Sequence, residues 1–359
     1  MALEEIVHHS SSQRPSMFYI HQSSCISHQP TFNDVDLEDL KPIENNLVPA
    51  IEPKYENVPL GQLRRMGRAL RMGVGTCMKL LGTNKVNGLL IGTANGGIED
   101  SIMFLNQIHD YEEGRLTPTA FVQSTYNAIA GMVGMITVNH GYNATHVHRG
   151  HAFENVALDA VMLLKENPDN SYLIGGVDEI SPKNHRLVSL AGWYRHDAVS
   201  NADLYTGNAT GTLPGEGAAM FIVNNKSEGA NAKLTGLKML NSLDENFVKE
   251  QLNLFLKENP GKVDLFLQGE NGDNRLLKYY SACESLMGEE TTVARFKHAF
   301  GEFQTVSALA LWLSTYVLQN QKLPQHFIKK TSATAFNRIL IYNNYQGLQH
   351  SFMLVERVK

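Results

Sequence analysis

Apolar runs of strand length that end in glycine and pass into helix-length amphipathic segments recur along the chain, and this alternation constrains the fold more than any other feature. Val86 to Ile91 is such a run; it ends in Gly92-Thr93-Ala94-Asn95-Gly96-Gly97, and Ile98 to His109 then has helical spacing. Ala152 to Lys165 is an amphipathic helix, Asn167-Pro168-Asp169-Asn170 a turn, and Ser171 to Ile174 a buried strand entering Gly175-Gly176. Met17 to Ile20, Thr212 to Asn224, Ala232 to Leu240, Val263 to Leu267, Arg338 to Tyr342 and Phe352 to Val358 are predicted strands. Leu60 to Leu81, Asp244 to Asn259, Asn274 to Met287 and Thr305 to Gln319 are predicted helices. Strands and helices in alternation imply an α/β layered fold.

The 359 residues suffice for two domain-sized halves. Their junction is expected in the polar connector at Asn224 to Ala230, giving halves at residues 17–225 and 226–359. Residues 1–16, polar and without the apolar core of a secretory signal, are expected to form a flexible extension. With 43% hydrophobic and 19% charged residues the composition is that of an ordinary globular chain, which argues against disorder, collagen and stapled miniproteins. A net charge of -5 offers no footprint for nucleic acid. No run approaches the roughly 20 apolar residues that span a bilayer. Cys25, Cys77 and Cys283 are too scattered for a zinc site or a disulfide framework. A cytoplasmic protein without cofactor or metal is the expectation.

Two motifs invite a ligand. The Gly92 to Gly97 turn sits where a phosphate loop would, yet it lacks the Gly-x-Gly-x-x-Gly pattern and any following Lys-Ser or Lys-Thr, so a structural turn is the competing reading. His140, His146, His148 and His151 form the densest histidine cluster. On a strand, His146 and His148 would share one face, but Arg149 is a poor neighbour for a cation, and hydrogen-bonded core or interface histidines are the alternative. The arginines at 64, 65, 68 and 71 form a helical stripe, either a solvated face or a contact for an acidic partner.

Taken in order, four segments resemble the β-ketoacyl-acyl carrier protein synthases of the thiolase superfamily, over nearly the whole chain from Met17. They are the Gly92 to Gly97 turn, Thr117 to Gly131, the helix Ala152 to Lys165 leading into Gly175-Gly176-Val177-Asp178-Glu179, and Gly215-Glu216-Gly217-Ala218-Ala219. The resemblance implies a five-layer αβαβα fold of two pseudo-duplicated halves. It also implies a working site in which a cysteine at a helix N-terminus carries the acyl group as a thioester, while two histidines hydrogen-bond the malonyl thioester carbonyl as charge develops there.

Against that pattern the chain departs at most positions. The family register places Gly150 at the nucleophile, Gln268 or Gly269 at the first histidine and Val293 at the lysine, with Lys297 replacing a glycine; only His298 remains. The C-terminal glycine loop is reduced to Asn343 to Leu348 with a single glycine. The resemblance assigns Phe121, Thr125, Asn127, His148, Arg149 and His151 to the acyl pocket and dimer contact. It therefore implies a noncatalytic, chain-length-factor-like subunit of the aryl polyene or flexirubin type. Its partners would be a cysteine-bearing β-ketoacyl synthase, or a second copy of itself, and acyl carrier protein. Two other functions stay open: an active synthase or malonyl decarboxylase using His148, His151 and His298, and a homodimeric acyl-binding scaffold.

Overall fold

The computed structural model describes residues 17–112, 114, 116 and 118–358. The expected extension at 1–16 and Thr117 of the pocket segment lie outside the described residues. In chain order the first half holds β1 (Phe18–Ile26), α1 (Leu60–Leu63), α2 (Arg68–Leu81), β2 (Gly88–Gly92), α3 (Ile98–Asp110), α4 (Pro118–Gln123), α5 (Ala128–Thr137), β3 (Tyr142–His146), α6 (Ala152–Glu166), β4 (Ser171–Asp178), α7 (Pro182–Leu190) and β5 (Gly217–Asn224). The second half holds β6 (Ala232–Asn241), α8 (Glu245–Glu258), β7 (Leu265–Gln268), α9 (Leu277–Glu284), β8 (Thr292–Arg295), α10 (Lys297–Phe300), α11 (Val306–Asn320), β9 (Ile328–Lys330), β10 (Arg338–Tyr345) and β11 (Gln349–Arg357).

The strands form one sheet in the order β3-β2-β4-β5-β1-β6-β11-β10-β7-β8-β9. The duplication is visible in that order. Strands 3-2-4-5-1 of the first half correspond to 8-7-10-11-6 of the second, with parallel pairing at β2–β3, β2–β4, β7–β8 and β7–β10 and antiparallel pairing at β4–β5, β1–β5, β10–β11 and β6–β11.

Period-two alternation sorts side chains into layers. Ile339 and Ile341 of β10 point to an inner core built on Phe153, Val156 and Ala157 of α6 and Leu309 and Leu313 of α11. Leu340 and Tyr342 point to the opposite core, with Val248, Leu252 and Phe255 of α8. In the first half the outer core is formed by Leu70, Val74 and Cys77 of α2 with Ile129 and Val133 of α5. Helices α6 and α11 are thus a shared middle layer covered on both sides by sheet, which is why α11 is apolar on nearly every face. The result is five layers, αβαβα.

Local differences from the sequence reading have local causes. The predicted helix Leu60 to Leu81 is broken at Arg64 to Gly67, where the Asp100 carboxylate lies against the bare face of Gly67 and Gln123 accepts the Gly67 N–H. Strand β1 runs on through the polar His21 to Ser24 because its ladder with β5 continues to Ile26, while β6 pairs only with Phe18 to Ile20.

Candidate active site

Between β3 and α6 the chain makes a sharp strand-to-helix elbow at Arg149–His151. Arg149 there adopts a left-handed backbone, φ 47°, a costly conformation for a residue with a side chain. Gly150 is buried, and its N–H donates to Gln349 Oε1 at 2.9 Å. A Cβ placed on Gly150 would lie 2.7 Å from Tyr345 Cγ, closer still to Tyr345 Cβ, and 3.2 Å from Gln349 Oε1. The β10–β11 turn therefore fills the space into which a nucleophile at this position would project. The Tyr345 hydroxyl is held in place by Gln304 Nε2 at 3.2 Å.

The histidines around the elbow are bound one by one. Strand β3 ends at His146, so His146 and His148 do not share a strand face as the sequence reading expected. His146 Nε2 pairs with Asp159 Oδ2 at 2.8 Å, a carboxylate that Tyr142 also engages. His148 Nδ1 meets Asn155 at 2.9 Å. His151 is buried; its Nε2 donates to the His350 carbonyl at 3.1 Å, and burial pulls its pKa down to about 4. Among the described residues no three His, Cys, Asp or Glu side chains are arranged to hold a metal.

From the second half, the group that reaches toward the elbow is Lys297. Its side chain is fully buried, and Nζ donates to both Glu302 oxygens, at 2.9 and 2.8 Å, and to the Asn344 carbonyl at 3.1 Å, one residue before Tyr345. Glu302 also accepts from Asn271 Nδ2 at 2.7 Å. Burial pushes the Lys297 pKa down and the Glu302 pKa up, and each is partly held by the other's charge. A Cβ on Gly269 would come within 2.7 Å of Asn343 Oδ1 and 3.1 Å of Lys297 Cε, so Gly269 borders this ion pair.

Gln268 does not. It shares a strand face with Phe266, in the outer core, and its Nε2 donates to Glu284 Oε2 at 2.9 Å. Val293 packs into the same outer core. His298 is buried with its ring turned to Tyr205 and His326: Nε2 lies 2.9 Å from His326 Nδ1, and Nδ1 lies 3.3 Å from the Tyr205 hydroxyl. Burial holds its pKa well below the usual value. Of Gly150, Gln268, Val293 and His298, only Gly150 faces the space occupied by Tyr345. Lys297, Glu302 and Tyr345 define its surroundings, and nothing in their sequence spacing advertises the Lys297–Glu302 pairing.

The glycine-motif residues prove to be fasteners. Asp178 Oδ1 accepts from Thr93 Oγ1 and from the Ala94 and Asn95 N–H groups, each at 2.9 Å, while Thr305 Oγ1 donates to Oδ2. The turn's donors are thus spent on a protein carboxylate, leaving no phosphate cradle. Glu179 accepts the Ala69 N–H at the start of α2, and Glu216 accepts from the Ala50 and Ile180 N–H groups and from Arg68. Arg68 and Arg71 are also paired with Glu52, so the expected arginine stripe is reduced to the exposed Arg64 and Arg65.

All three cysteines are buried in cores and away from the elbow. Burial raises the Cys25 and Cys283 thiols to about 12 and drives Cys77 upward as well, so none is a ready thiolate.

Phe121 is 58% exposed, with its ring 5.3 Å from Phe104. Thr125 Oγ1 donates to the Val122 carbonyl, and Asn127 Oδ1 accepts from Thr145 of β3 at 2.8 Å, tying this segment to the end strand of the sheet.

Residues 41–196 match the family model for the β-ketoacyl synthase N-terminal domain. No curated protein matches the sequence significantly. Among solved structures, a β-ketoacyl synthase from Burkholderia phymatum STM815 is similar at TM-score 0.74 and 14% identity, covering 96% of this chain and 100% of that one. The ishigamide ketosynthase/chain length factor gives TM-score 0.73 and 13% identity, covering 95% and 99%. The ketosynthase ApeO in complex with its chain length factor ApeC, from Xenorhabdus doucetiae, gives 0.74 and 11%, covering 98% and 100%. At such identities the likeness is one of fold. Residues 41–196 thus carry the sequence of a β-ketoacyl synthase N-terminal domain, and the chain as a whole has the fold of these ketosynthase structures.

Proposed function

We propose that this chain is a noncatalytic, chain-length-factor-like subunit of the aryl polyene type. It pairs with a cysteine-bearing β-ketoacyl synthase and shapes the tunnel in which the partner, served by acyl carrier protein, extends its acyl chain. The observation that carries this reading is the occupied elbow: Gly150 has no room for a side chain beneath Tyr345, and no thiol stands elsewhere to replace it. An acyl-enzyme route needs a nucleophile within reach of a substrate carbon.

Support for a pairing role comes from β3. It ends the sheet, so its outer edge has no strand beside it among the described residues, a feature that single-chain proteins usually blunt or cover. Around it Met135 and Val138 are 70% and 71% exposed, and Phe121, Val122, Tyr126, Tyr142 and Val147 are exposed as well. Apolar exposure on this scale marks an interaction surface.

The test is incubation of the purified chain with malonyl- and acyl-loaded carrier protein, followed by intact-mass spectrometry, with and without the synthase. No covalent adduct on this chain, and condensation in the mixture only, is the expected result. Turnover by this chain alone at the rate of a cysteine-bearing synthase would refute the reading, and so would full elongation by the partner alone.

A further inference from the structure

From residue 118 to residue 162, the segment that builds the exposed face around β3, the only charged side chains besides histidine are Arg149, Glu154 and Asp159. Both acids are engaged inside the fold. Glu154 is fully buried and accepts from Ser351 Oγ at 2.7 Å, while Asp159 is 8% exposed and accepts from Tyr142 and His146. Arg149 stands apart. It is exposed, its guanidinium has no hydrogen-bond or ion-pair partner among the described residues, and it lies three residues beyond the end of β3. Its backbone is left-handed, where glycine would sit without strain. The elbow thus holds a long charged side chain at a position whose backbone would favour glycine, an outlier that motivates a functional role for the side chain.

Resting on the pairing proposed above, we propose that Arg149 is a pairing determinant: it seats a carboxylate of a different ketosynthase-fold subunit across the β3 edge and so selects that subunit over a second copy of this chain. A twofold self-contact would lay the 118–162 face against itself. Residues 118–162 bring no free carboxylate to such a contact, so within that segment each Arg149 would be desolvated without a counter-charge, an arrangement that costs affinity. A partner with an apolar face and one acidic side chain opposite satisfies both the exposed hydrophobic groups and the guanidinium, whose planar fork suits a carboxylate in bidentate geometry.

The test uses the full chain co-expressed with the cysteine-bearing β-ketoacyl synthase of its own genome, and measures the dissociation constant at two salt concentrations. Arg149→Glu is expected to weaken the complex at least tenfold and Arg149→Lys by a smaller factor, with the contact's salt dependence reversed in Arg149→Glu, where salt screens a repulsion between carboxylates. Arg149→Gly should raise the melting temperature of the isolated chain by relieving the backbone while still weakening the complex. Met135→Asp serves as a probe of the face itself. Loss of binding in Met135→Asp with unchanged binding in Arg149→Glu and Arg149→Gly would overturn the role of Arg149 and leave the pairing intact. A tight homodimer of the wild-type chain that ignores the synthase would overturn the pairing, and Arg149's role with it.

Discussion

At the scale of single residues, the centre of the molecule is governed by Lys297. A fully buried ammonium is tolerable only with a partner and hydrogen bonds for its protons, and Glu302 and the Asn344 carbonyl supply three. Glu302→Gln should therefore destabilise the fold by about 3–5 kcal/mol, because it leaves the charge uncompensated. The double variant Lys297→Met with Glu302→Leu should recover most of that loss in urea unfolding. Gly150→Cys should cost about 1–3 kcal/mol from overpacking against Tyr345 and yield no acyl adduct by mass spectrometry; adding Tyr345→Gly should restore stability toward that of the parent. The sequence exposes Gly150 as the odd residue at the elbow but not the reason for it. Tyr345 lies nearly two hundred positions away, and only tertiary structure brings the two into contact.

At the scale of elements, the α6 elbow and the β10–β11 hairpin are joined through neutral imidazoles. His151 Nε2 donates to the His350 carbonyl, while the His350 ring donates from Nε2 to the Ser242 carbonyl and accepts the Tyr342 hydroxyl at Nδ1. Burial lowers both pKa values to about 4, whereas an unfolded histidine titrates near 6.5. The unfolded state therefore binds more protons between those values, so this stabilisation is complete above about pH 6.5 and is lost as pH falls toward 4. Glu154, raised to about 7 by burial, works in the opposite sense and loses stability as pH rises from its ordinary value through 7. Urea midpoints measured from pH 7.5 to 4.5 should show a pH slope smaller by up to one proton in His151→Gln.

Long periodic elements such as α6, α8 and α11 were legible within a residue or two of their ends. Strand β8, four residues with Thr292 and Arg295 at its ends, and the nearly uniformly apolar α5 were not, because neither has a periodicity to read.

At the scale of the whole molecule, the duplication in strand order means that α6 from one half and α11 from the other belong to one inner core. Neither half can cover its own inner face. Residues 17–225 expressed alone should be aggregated or molten by circular dichroism and gel filtration, although the chain length suggested two domain-sized units. The sequence conveyed the layered α/β class and the family resemblance through its glycine turns, since turn chemistry is local. Which side chains turn toward the elbow depends on strand faces and on the rotation of a four-residue helix, and there Gln268, Val293 and His298 point elsewhere while Lys297 points in.

Tyr345 has a consequence of its own. A catalyst must keep a hollow at its heart for substrate, and voids and strained, solvent-free clefts subtract from stability. Here an aromatic ring from the end of β10 acts as a keystone beneath the α6 elbow, so the space at Gly150 is filled and the two halves are braced against each other.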